Sequence, residues 1–69
     1  MANVVARGDR ESLEAKLKSA VAEHERARSK LANEGFLARA PAQVVDAERE
    51  KAERFAGEVS DIRRRLGAL

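Results

Sequence analysis

From Leu13 onward, apolar or small side chains recur at Leu13, Leu17, Ala20, His24, Ala27 and Leu31, in alternating steps of four and three. A seam with that period commits the segment to an α-helix that packs against another helix. The same rule restarts at Val45 and runs through Glu48, Ala52, Phe55, Val59, Ile62, Leu66 and Leu69. Between the two seams lies NEGFLARAP, residues 33–41, the one interruption in otherwise helix-forming sequence. Two helices joined by so short a break lie antiparallel. The expected fold is therefore all-α, a coiled-coil helical hairpin with a helix over 9–34, a turn over 35–40 and a helix over 41–68, preceded by a flexible segment over 1–8.

Local chemistry supplies the stops and starts. Asp9 or Ser12 is expected to cap the first helix, and Gly35 to follow its end in a left-handed conformation that glycine adopts at little cost. Pro41 suits the first turn of the second helix because its missing N–H would have had no partner there. Gln43 is placed to help satisfy the free amides. Asn33, Gly35 and Pro41 are thus expected to shape the turn.

One register aligns both seams: Leu31 opposite Val45, Ala27 opposite Glu48, His24 opposite Ala52, Ala20 opposite Phe55, Leu17 opposite Val59 and Leu13 opposite Ile62. Large side chains then meet small ones, which lets the layers interdigitate. In this register Asp9 lies near Arg65, Lys16 near Glu58, Glu23 near Lys51 and Glu14 near Arg63. Such exposed pairs fix orientation more than they stabilise, at about 0.2–1 kcal/mol each. Near the turn the complementarity fails, with Arg28 facing Arg49 and Lys30 facing Val44. Glu48 is expected to snorkel toward Arg28 or Arg49, and His24 to fill the core.

Composition narrows the function. With 69 residues there is no room for a core and an enclosed catalytic pocket together. Charged residues make up 38% and aromatics 3%, the profile of long helices and coiled coils. Cysteine is absent and histidine occurs once, so neither thiolate chemistry nor a histidine-based metal site is expected. The sequence shows no Ser/His/Asp arrangement, no glycine-rich phosphate loop and no metal-ligand spacing. It also lacks an apolar stretch of membrane-spanning length and a signal peptide, so a cytoplasmic location is expected.

The net charge of +2 says little, but residues 26–39 carry Arg26, Arg28, Lys30 and Arg39 against Glu34 alone, a local net of +3. A protruding basic tip suits a folded RNA backbone, which is recognised through shape and phosphate. Phe36 and Leu37 add apolar surface able to stack on bases, but packing under the turn to close the hairpin end is the favoured expectation for them, one packing while the other is presented. Two plainer readings stand beside this one: the charges solvate a helical surface, or the hairpin is a protein-interaction element that dimerises into a four-helix bundle, with Val21, Val44 and Ala56 widening its apolar face.

The run Lys30-Leu31-Ala32-Asn33-Glu34-Gly35-Phe36-Leu37-Ala38-Arg39-Ala40-Pro41-Ala42-Gln43-Val44-Val45, followed by Glu48-Arg49, resembles the C-terminal arm of valyl-tRNA synthetases. The resemblance extends from about residue 9 to the end, and its central run is specific while the flanking heptads are generic. It implies an appended, non-catalytic tRNA-binding domain that reaches the outer corner of tRNA, where the D and T loops meet. ATP and valine would bind upstream domains, and no cofactor is expected for this chain. Asn33, Phe36, Arg39, Pro41 and Arg49 fall in the shared pattern. Arg39 and Arg49 are the leading RNA contacts that it implies, whereas Arg26, Arg28 and Lys30 come from charge alone. An arm for another RNA, such as ribosomal RNA, fits the same residues. The chain is far shorter than a synthetase, so it is either an excised domain or a free-standing relative.

Overall fold

A computed structural model describes the backbone of residues 3–69 and the side chains of 9–69. The order is α1 (Asn3–Ala32), α2 (Glu34–Arg39) and α3 (Ala42–Ala68). α1 and α3 are the long arms of a hairpin, packed side by side along their length. The molecule measures 55 × 14 × 13 Å, with a radius of gyration of 15.9 Å. A compact chain of this length would have about 11 Å, so the hairpin is a rod.

Helix-forming residues dominate both arms, and no proline or glycine falls between Asp9 and Glu34. α1 runs back to Asn3, so Asp9 and Ser12 lie inside it and neither starts it. Residues 1 and 2 of the expected flexible segment lie outside the described residues.

The buried seam consists of Ala20, Ala27, Val45, Glu48, Val59 and Ile62. Ala20, Val59 and Ile62 form its centre, with Leu13, Leu17, Val21, Phe55 and Leu66 half-buried around them. Ala20 therefore clusters with Val59 and Ile62, about one to two turns further along α3 than the expected pairing with Phe55, which packs against that cluster. Alanine opposite branched side chains lets the two backbones approach closely. His24 is half-buried at the seam's edge.

The expected ladder of ion pairs between the arms does not form among the described residues. Glu23 pairs with Arg26 at 2.8 Å, Glu25 with Arg28 at 3.7 Å, Asp46 with Arg49 at 3.7 Å and Asp61 with Arg65 at 3.1 Å, all within one helix. Residues three or four apart on a helix are already neighbours, so an exposed carboxylate reaches them more readily than a cation on the facing helix. The like-charged Arg28 and Arg49 thus each hold a carboxylate of their own.

Candidate nucleic-acid interface

The break between the arms is itself helical. Asn33 adopts an extended conformation (φ −88°, ψ 111°), and its Oδ1 accepts a hydrogen bond from the Phe36 amide at 3.0 Å, capping α2. The Asn33 amide donates to the Lys30 carbonyl at 3.1 Å, so this residue closes α1 and opens α2 together. Gly35 corrects the expectation of a left-handed cap: no described glycine has positive φ. It occupies the first turn of α2, where an added Cβ would lie 3.2 Å from Asn33 Oδ1. The glycine therefore leaves room for the cap.

At the other end of α2, the Ala40 amide donates to the Phe36 carbonyl at 2.8 Å, and Ala40 is extended (φ −74°, ψ 141°). A residue before proline is driven to that region because the proline ring disfavours the helical one. Pro41 then takes the cap position of α3 rather than its first turn, its carbonyl accepting from the amides of Val44 and Val45 at 2.9 and 3.1 Å. No side chain caps α3, Gln43 included. Asn33, Gly35 and Pro41 shape the turn, two of them by mechanisms other than those expected.

α2 forms the tip of the rod. Phe36 is half-buried, and Leu37 beside it is 39% exposed, so one packs and the other is presented. Asn33, Gly35, Phe36, Arg39 and Ala40 line an open concavity on the tip. Arg39 ends α2, is exposed, and has no ion-pair partner among the described residues.

The remaining cations do not gather into one cluster. Arg26 and Arg28 are two residues apart and project about 200° from one another around α1. Arg26, Arg28 and Arg49 are all strongly exposed, Arg26 hydrogen-bonded to Glu23 at 2.8 Å and the other two held loosely at 3.7 Å by a neighbour on their own helix. Lys30 turns toward the seam, where its Nζ lies 3.6 Å from Glu48 Oε2. Lys51 Nζ lies 3.4 Å from the same oxygen. Glu48 is 8% exposed and pairs with these lysines, not with Arg28 or Arg49 as expected. Lys51 was missed as a partner because its spacing from Glu48, three residues along α3, competes with the cross-hairpin pairing to Glu23.

Among the described residues no acidic or histidine cluster is suited to a metal, and no helix is long and apolar enough to cross a membrane. A rod-shaped helical hairpin with a capped turn and a partly apolar tip that carries the exposed Arg39 defines the class: a two-helix coiled-coil hairpin. Residues 7–69 match the family model described as the valyl tRNA synthetase tRNA binding arm, and the chain belongs to that family. It is 48% identical over 61 residues to the valine–tRNA ligase of Carboxydothermus hydrogenoformans, covering 88% of this chain and 7% of that enzyme. With the Bacillus subtilis valine–tRNA ligase the identity is 43% over 47 residues, 68% of this chain and 5% of the enzyme. The Geobacillus stearothermophilus valine–tRNA ligase is 49% identical over 45 residues, 65% of this chain and 5% of the enzyme. The chain thus spans less than a tenth of the length of these relatives. No solved structure matches it significantly.

Proposed function

We propose that this chain is the tRNA-binding appendage of a cytoplasmic valine–tRNA ligase, gripping the outer corner of tRNA where the D and T loops meet. In this reading catalysis, with ATP and valine, belongs to upstream domains, and the arm adds affinity and orientation without a cofactor of its own. The observation that carries it is Arg39: an exposed arginine at the end of a capped helix, beside half-buried Phe36, with no carboxylate partner among the described residues. A guanidinium presented in this way offers its donors to phosphate or to a base edge. Leu37 offers an apolar face at the same tip.

Arg49 and Arg28 flank the tip on long, exposed side chains. Their carboxylate partners lie at 3.7 Å and are solvent-exposed, so exchanging them for RNA phosphate sacrifices little. Arg26, at 2.8 Å from Glu23 and directed away from the seam, is a peripheral contributor.

The test is a salt titration of binding to an intact tRNA transcript and to one whose D and T loops cannot dock. Preference for the intact corner, with affinity falling as salt rises, supports the reading. The Arg39→Ala/Arg49→Ala double variant is expected to lose affinity while keeping its helix content. Equal binding to both transcripts, or unchanged affinity in the double variant, overturns it.

A further inference from the structure

Glu48 is an uneconomical residue for its position. It lies 92% buried in a seam otherwise built from Ala20, Ala27, Val45, Val59 and Ile62, and its Oε1 is buried without a hydrogen-bond donor among the described residues. A buried carboxylate loses hydration that ion pairing only partly returns, and an apolar side chain of similar volume generally stabilises such a site as well or better. Its return must lie elsewhere than in stability.

The ion pairs show where. Glu48 Oε2 sits between Lys30 Nζ at 3.6 Å and Lys51 Nζ at 3.4 Å, and the Lys30 contact is the one ion pair among the described residues that crosses from α1 to α3. Lys30 lies about one helical turn before the tip helix and Lys51 about two and a half turns into α3, both on the half of the hairpin nearer the tip. Lysine is a flexible point charge without the planar fork of arginine, so it attracts phosphate with little geometric discrimination. A carboxylate held between two lysines occupies the place that a phosphate oxygen would otherwise take.

We propose that Glu48 is a specificity-determining residue that acts as an internal competitor for phosphate, withholding Lys30 and Lys51 from RNA so that binding depends on the arginines of the tip. This inference rests on the tRNA-binding reading above. It removes Lys30 from the set of direct contacts and makes Glu48 a positioning residue, acting through the lysines it holds. Arg28 and Arg49 differ because their carboxylate partners are exposed on the surface and are displaced readily.

The experiment measures binding of the 69-residue chain to a folded tRNA transcript and to a uridine homopolymer across a salt series. Glu48→Gln preserves shape and removes the charge. Its affinity for the homopolymer is expected to rise about fivefold for each lysine released, the gain that a salt slope of about 0.7 gives between about 1 M and about 0.1 M salt. Its preference for folded tRNA falls correspondingly. Lys30→Gln is expected to leave homopolymer binding by the wild-type chain unchanged, yet to remove much of the gain in the Glu48→Gln background. A folded Glu48→Gln variant with unchanged homopolymer affinity and slope overturns the proposal. So does a Lys30→Gln chain that loses as much homopolymer affinity as Arg39→Gln does, a comparison that leaves Glu48 untouched. Failure of the wild-type chain to prefer folded tRNA would strike the function itself, and is thereby distinguished from failure at Glu48.

Discussion

Replacing Asn33 by alanine isolates the device that turns NEGFLARAP into a helix. The substitution removes the Oδ1 acceptor 3.0 Å from the Phe36 amide and leaves the backbone bonds from Asn33 to Lys30 and from Leu37 to Asn33 available. Loss of a side-chain cap costs about 1 kcal/mol. In a long helix that amount would be spread along many bonds, but α2 has six residues and no fully buried side chain to hold it. A helix so short is marginal without its caps. The loss therefore falls on local opening of the tip, and about 1 kcal/mol corresponds to about a fivefold change in that equilibrium. Amide hydrogen exchange reads it directly: the Phe36, Leu37 and Ala40 amides are expected to exchange about fivefold faster, while Val59 and Ile62 in the seam remain unaffected. Asn33→Asp, which retains a capping oxygen, is expected to restore most of the protection. Unchanged exchange at Phe36 in Asn33→Ala would refute the capping role. A uniform increase along α1 and α3 would refute the local character of the effect.

Other substitutions test the arms. Gly57 lies inside α3 in open space, since an added Cβ there meets nothing within 4 Å, so Gly57→Ala is expected to stabilise by about 0.5–1 kcal/mol and raise the thermal midpoint by several degrees. Ala27 is 1% exposed in the seam between the arms; Ala27→Leu is expected to destabilise by about 1–3 kcal/mol through overpacking, measured by thermal melting followed by circular dichroism. Ile62→Ala removes a buried branched side chain from the seam's centre and is expected to cost about 2–5 kcal/mol, enough to unfold much of a hairpin this small at room temperature, which urea titration would reveal. Glu48→Leu is expected to melt no lower than the wild-type chain, because it exchanges an incompletely satisfied carboxylate for apolar packing; a clearly lower melting midpoint would contradict that reasoning.

The sequence by itself determined the two arms, their antiparallel course and the basic turn. Helical periodicity is a local property, repeated often enough over each arm that no single residue decides it. The run around Asn33 and Pro41 was specific enough to carry the family resemblance, and the match over residues 7–69 bears it out. The tertiary structure alone decided how the charges are partnered. An exposed carboxylate gains little from any single cation, so proximity decides its partner, and the choice fell on neighbours within a helix. The turn was decided at the same level: Asn33 and Gly35 suit either a left-handed stop or a cap with space beside it, and only the backbone path chose the second. Glu48 shows the difference most directly. Its place on the seam was legible from spacing, but that its carboxylate would remain inside, held between Lys30 of α1 and Lys51 of α3, was decided only by the packing of the two helices.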